Sequence, residues 1–170
     1  MMPVREHREE ATKIEVSLGL LITSDSISKG LKKDEITPIV ERVSNEYGVT
    51  LKNRVLVPNK KEEIEKAFSG LLGSCNVIIV TGGTGLSPRD ITVETLRNYC
   101  SKDIPGFGEL FRYLTFLRHG SAAMASRSFA CVSGNTILFA VPGSPDAVEL
   151  ALRELIMPEA RHLLYELKKT

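Results

Sequence analysis

Apolar and polar positions follow two periods along the chain, one of strands and one of helices. Residues 14–23 and 76–80 are short apolar runs with β-branched entries, and the second of these fits a strand buried on both faces of a sheet. Residues 51–57, closed by Pro58-Asn59, read as a further strand. Between them the apolar positions switch to helical spacing. Ile36, Ile39, Val40, Val43 and Tyr47 share one face, with Asp34 placed to cap it and Gly48 to end it. Ile64, Ala67, Phe68, Leu71 and Leu72 share the next, stopped by Gly73. This βαβαβ alternation predicts a mainly parallel sheet with helices on both faces.

The second half is less regular. Phe107, Leu110, Phe111, Leu114 and Leu117 fall on one side of a helix that follows Pro105-Gly106. Residues 127–132 and 136–141 flank Ser133-Gly134-Asn135 and read as a β-hairpin, so one strand runs antiparallel and the sheet is mixed. After the last strand, Ser144 is placed as an N-cap and Pro145 as the first helical residue, with Asp146 near the positive dipole end. Pro158 is expected to break or kink that helix.

Two of the strands run directly into glycine-containing turns. Gly82-Gly83-Thr84-Gly85 follows 76–80, and Pro142-Gly143-Ser144-Pro145 follows 136–141. A helix is expected after each turn, the first opening on Thr92 as cap. Glycine there allows positive φ and close backbone approach, so that successive amides point at an anion. Ligands of open α/β sheets bind at this rim. Ser24 and Asp25 end the first strand at the same rim. The glycine run has neither a Walker A ending nor G-x-G-x-x-G spacing. Asp90 suits proton acceptance, substrate orientation or Mg²⁺ binding, and equally a helix-start carboxylate. Ser126 and Arg127 offer a hydroxyl and a planar fork donor. Glu109 and Arg112, three apart, read as a surface pair, and the three histidines show no metal-ligand spacing.

Composition narrows the class. The chain has 170 residues, enough for one full core, with 42% hydrophobic and 25% charged residues. Lys plus Arg number 22 against 21 Asp plus Glu, a net +1, which argues against a dedicated nucleic-acid binder. No apolar run has membrane-spanning length. Residues 1–13 are polar and read as a flexible tail before a single domain, 14–170. Cys75, Cys100 and Cys131 are scattered and odd in number. They suggest neither a disulfide framework nor a zinc site, and a reducing cytoplasm fits.

Taken in order, Thr81-Gly82-Gly83-Thr84-Gly85, Pro88-Arg89-Asp90 with Thr92, Pro105-Gly106-Phe107-Gly108-Glu109 with Arg112, Ser126-Arg127, and Pro142-Gly143-Ser144-Pro145-Asp146 resemble the MoaB/Mog family of molybdenum-cofactor biosynthesis proteins. The resemblance spans roughly residues 14–155. It implies a three-layer α/β/α sandwich and a homotrimer or homohexamer. It also implies adenylylation of molybdopterin by ATP with Mg²⁺, and a downstream molybdate-insertion partner. By that resemblance Asp90 is the catalytic and Mg²⁺-binding carboxylate. Gly82, Gly83, Thr84, Gly85, Pro142, Gly143, Ser144 and Pro145 hold nucleotide and pterin phosphates. Ser24 and Asp25 form a polar edge, and Ser126 and Arg127 lie on the pterin side. The chain departs from the family pattern at Asn59, where Mog-type members carry an acidic residue. A non-catalytic molybdopterin carrier and an unrelated nucleotide-binding α/β domain are the competing readings. Apolar residues Phe107, Phe111, Phe116 and Leu117 spread over more than one helix face, which suits a partner subunit as well as a core.

Overall fold

The computed structural model describes residues 9–169. Its strands are β1 (Leu18–Thr23), β2 (Leu51–Val57), β3 (Val77–Thr81), β4 (Lys102–Asp103), β5 (Phe129–Ser133) and β6 (Thr136–Val141). They form one sheet in the order β2-β1-β3-β6-β5-β4. β1 runs parallel to β2 and β3, and β3 parallel to β6. β5 is antiparallel to both β6 and β4, so the sheet is mixed, as the hairpin pattern predicts. The helices are α1 (Asp25–Ser28), α2 (Ile36–Glu46), α3 (Lys61–Leu72), α4 (Thr92–Leu96), α5 (Pro105–His119), α6 (Pro145–Ala151) and α7 (Met157–Lys168). None of the helices described is long and apolar enough to cross a membrane.

The two-residue period of the strands sorts the core into two layers. Val77 and Ile79 of β3 join Leu18, Leu20 and Ile22 of β1 and Ile137, Phe139 and Val141 of β6. These pack against α2, α5, α6 and α7. Their neighbours Ile78, Val80, Leu21, Leu138 and Ala140 face the other way, toward Ile64, Phe68 and Leu71 of α3 and Leu96 of α4. The result is the expected three-layer α/β/α sandwich. Each such Leu or Ile contributes roughly 1.5–3 kcal/mol on burial. A one-residue slip of β3 would exchange the two sets, which fixes the register.

Several boundaries differ from the sequence pattern. β1 begins at Leu18, not Ile14, because the Asn76 side chain takes the Ser17 amide at 2.8 Å and closes the strand's start. Of the expected flexible tail, residues 1–8 lie outside the described residues. Residues 9–13 are instead tied down: Ala11 is buried, and the Tyr165 hydroxyl donates to Glu10 at 2.7 Å. Pro158 does not break the last helix. The backbone passes from α6 to α7 through a π-turn at Leu152–Ile156, which adjusts the ladder where proline lacks an N–H. Strand β4, only two residues long, has no pattern to announce it.

The cysteine expectation is also corrected. Cys100 and Cys131 form a disulfide, with Cα atoms 5.7 Å apart, and Cys75 is the buried free thiol. Their separation of 31 residues is erased by the β4–β5 pairing, which no spacing rule detects. The argument from cysteine usage to a reducing compartment loses its basis, since two of the three are bonded. Closing a loop of that length is worth about 3–4 kcal/mol in the chain-entropy account. Reduction with thiol should therefore lower the melting temperature by about 6–16 °C. A calorimetric scan that is unchanged by reductant, with free thiols verified, would remove the bond from the stability of the fold.

Candidate functional site

The carboxyl ends of β1, β2, β3 and β6 stop level with one another. Ile22 pairs with Thr81, Thr23 with Val57, and Thr81 with Val141. The turns that follow are therefore neighbours. The Gly82 amide donates to the Val141 carbonyl at 3.1 Å, and the Ser24 amide to the Val57 carbonyl at 3.0 Å. The two glycine turns touch: a Cβ on Gly143 would lie 3.3 Å from the Gly82 Cα.

Only glycine fits this seam. Gly82 and Gly83 are consecutive residues at φ +95° and +66°. A Cβ on Gly82 would stand 2.2 Å from the Thr23 carbonyl oxygen. Thr92, expected as a helix cap, instead donates its hydroxyl to the Gly82 carbonyl at 2.7 Å, while its amide donates to the Gly83 carbonyl. The turn's carbonyls are thus taken from inside. Its amides are not: among the described residues, nothing accepts from the N–H groups of Gly83, Thr84 or Gly85, or of Gly143 and Ser144. Backbone donors left this way form an anion cradle. The Thr81 hydroxyl, fully buried at the head of the turn, has no hydrogen-bond partner among the described residues. Ser144 accepts from the Ala147 amide at 3.3 Å and caps α6 as its position predicts, with Pro142 and Pro145 flanking the turn.

Asp90 closes a small turn below the first glycine loop. Its Oδ2 accepts from the Ser87 amide at 3.0 Å, and its own amide donates to the Ser87 carbonyl. Oδ1 has no partner among the described residues. Arg127 reaches this turn from the segment that leads into β5, whose start pairs with the carboxyl end of β6 at the same rim. Its Nε and Nη2 donate to the Gly85 carbonyl at 2.9 and 2.6 Å, and Nη2 to the Asp90 carbonyl at 3.1 Å. Nη1 pairs with Glu94. That hydrogen bond holds the Glu94 carboxyl below its ordinary pKa. Arg127 thus binds the loop itself.

On the other side, Asp25 Oδ1 accepts from the Asn59 amide at 2.9 Å, and the Thr23 hydroxyl donates to the Asn59 side-chain oxygen. The structure therefore sets Asp25 beside the position where the family pattern has a carboxylate. Ser24 caps α1 by accepting from the Ile27 amide.

Ser126 lies in an adjoining cleft of about 440 Å³, shared with Arg97, Glu109, Arg112, Arg127 and Ser128. Arg112 does not form the expected surface pair with Glu109. It is half-buried and donates to the Ser126 and Ser128 carbonyls at 3.4 and 3.1 Å. Asp146 is held by Arg118 at 3.0 Å and His119 at 3.3 Å from the end of α5. Sequence reasoning missed Glu94 and Thr23 as parts of this site and took Thr92, present in the family motif, for a helix cap. Glu94 gave a faint signal, since it lies four residues after Asp90 on the helix that the loop opens.

Comparison with known proteins agrees with this geometry. The family described as "Probable molybdopterin binding domain" matches residues 19–162. Molybdenum cofactor biosynthesis protein B of Bacillus anthracis is 36% identical over 173 residues, covering 99% of each chain. The protein of the same name from Staphylococcus carnosus is 37% identical, covering 99% of this chain and all of that one. The crystal structure of the tungsten cofactor synthesizing protein MoaB from Pyrococcus furiosus superposes with a TM-score of 0.83 at 28% identity. It covers 91% of this chain and 98% of that one.

Proposed function

The chain belongs to the MoaB/Mog family of molybdenum-cofactor biosynthesis proteins, and we propose that it adenylylates molybdopterin with Mg-ATP, releasing pyrophosphate. The observation that carries this reading is the contact between Gly82 and Gly143, which merges two amide-bearing turns into one cradle. Two phosphorylated ligands can lie side by side on it. The terminal phosphate oxygen of molybdopterin attacks the α-phosphorus of ATP. The new P–O bond forms as the bond to the β-phosphate oxygen breaks, and pyrophosphate leaves with that electron pair. A phosphate nucleophile is already ionised, so the protein's work is positioning and charge neutralisation.

The amides of Gly83, Thr84 and Gly85 suit one phosphate chain, and those of Gly143 and Ser144 the other. The residues fit Mg²⁺ as well. This ion needs only one or two carboxylates when phosphate oxygens complete its shell, and Asp90 has a free oxygen there, with Asp25 as the second candidate. Held there, Mg²⁺ would supply charge neutralisation on the phosphates of the transferring adenylyl group and the leaving pyrophosphate. Mixing the protein with molybdopterin, ATP and Mg²⁺ should release one pyrophosphate per adenylyl-molybdopterin. Saturable pterin binding without pyrophosphate would convert the reading to a carrier, and failure to bind molybdopterin at micromolar concentration would end both.

Asn59 is the observation on the carrier's side, because its amide side chain brings no charge to a metal. Asn59→Asp keeps the acceptor for Thr23 and sets a second carboxylate beside Asp25. Without divalent cation the two charges repel, and with Mg²⁺ they share it. The variant should melt lower than wild type in EDTA, recover in Mg²⁺, and turn over faster. A fall in Mg²⁺-dependent turnover would mean that Asn59 has another duty.

The trimer or hexamer enters here too. Phe107 and Phe111 are buried, but Leu110, Tyr113 and Leu117 form an exposed stripe on the opposite side of α5, with Phe116 and Met124 beside it. A second copy suits such a stripe. Leu117→Lys, at 62% exposure, should leave the monomer folded and shift the mass in light scattering from oligomer to monomer. An unchanged mass would place the contact elsewhere.

A further inference from the structure

We propose that Arg127 is a positioning residue, and that Arg127 and Glu94 act as one unit that sets the orientation of the Asp90 carboxylate. The inference rests on the adenylylation reading for what Asp90 then does. Three hydrogen bonds run from one guanidinium to the two carbonyls that bracket the Gly85–Asp90 turn. A planar fork fixes two points at once, which a single ammonium cannot do. Arg127 is drawn from a segment 42 residues away from Gly85, so the turn is pinned to the far half of the sheet and not merely to itself. Glu94, one helical turn beyond Asp90, pairs with the remaining face of the guanidinium.

Direct substrate contact is the competing role. A phosphate arriving at Arg127 would have to displace both an ionised Glu94 and the Gly85 carbonyl, leaving that carbonyl unpaired. The positions most dependent on the clamp are the Ser87, Asp90 and Thr92 amides, whose hydrogen bonds close the turn and its junction with α4.

The test compares wild type with Arg127→Lys and with Glu94→Gln, the second being an exposed site that leaves the core untouched. Hydrogen exchange, with no ligand present, should speed by about tenfold at Ser87, Asp90 and Thr92 and stay unchanged in α3 and α7. Calorimetric titration with ATP, with and without Mg²⁺, should show the Mg²⁺-dependent gain in affinity falling about tenfold or more in either variant. Adding Asp90→Asn to Arg127→Lys should cost no more of that gain than Asp90→Asn alone, because both act through one carboxylate. Unchanged exchange at those amides, or fully additive losses, would overturn the proposal and make Arg127 a ligand contact. If wild type binds no Mg-ATP at all, the adenylylation reading falls, while the exchange result alone decides whether Arg127 holds the turn.

Discussion

Asp90→Asn should lower pyrophosphate release by about 10²–10³-fold while leaving the melting temperature unchanged. The expectation comes from the division of labour between its two oxygens. Oδ2 is committed to the Ser87 amide, and an Asn side-chain oxygen can replace it there. The other oxygen has no partner among the described residues, and in Asn that place is taken by an NH₂ group. A donor then stands where a bound cation requires an anion. The turn survives and the chemistry does not. Retention of full activity in a folded variant would remove Asp90 from the mechanism. A large fall in melting temperature would instead show that the carboxylate holds the loop through its charge.

Gly82→Ala should cost more than about 3 kcal/mol and abolish nucleotide binding. Two effects add. The residue sits at φ +95°, where a side chain is strained, and the new Cβ would lie 2.2 Å from the Thr23 carbonyl. Backbone cannot yield that distance without separating β3 from β1, and the adjacent Gly143 turn would move with it. Gly134→Ala separates the two effects. It shares a positive φ of 59° but meets nothing within 4 Å, so it should cost only about 1–2 kcal/mol. Equal losses in denaturant titrations of both variants would show that backbone strain, not the seam, dominates.

Much of this was legible in the chain. β3, the hairpin and the caps at Ser144 and Asp34 follow from short-range rules, because apolar runs, two-residue turns and capping oxygens act within a few positions. Asp34, for example, accepts from the amides of Ile36 and Thr37 at 2.9 and 3.0 Å. The glycine turns were legible for the same reason, as strand ends with residues that only a strained backbone needs. What stayed hidden is what joins distant segments. Arg127 looked like a spare donor because the Gly85 carbonyl it serves is 42 positions away. The Thr92 hydroxyl looked like a cap because its sequence neighbours suit one, yet the Gly82 carbonyl ten positions back outcompetes its own helix. The partnership of Asp25 with Asn59, and the bond between Cys100 and Cys131, depend on strand order, which periodicity does not encode.

The Cys100–Cys131 link has a practical corollary. Met124 stands 87% exposed inside the loop it closes, a natural point for attack by a protease. A polypeptide cut once there remains a single covalent species. On a denaturing gel it should migrate as an uncut chain until mercaptoethanol is added, and only then separate into two fragments.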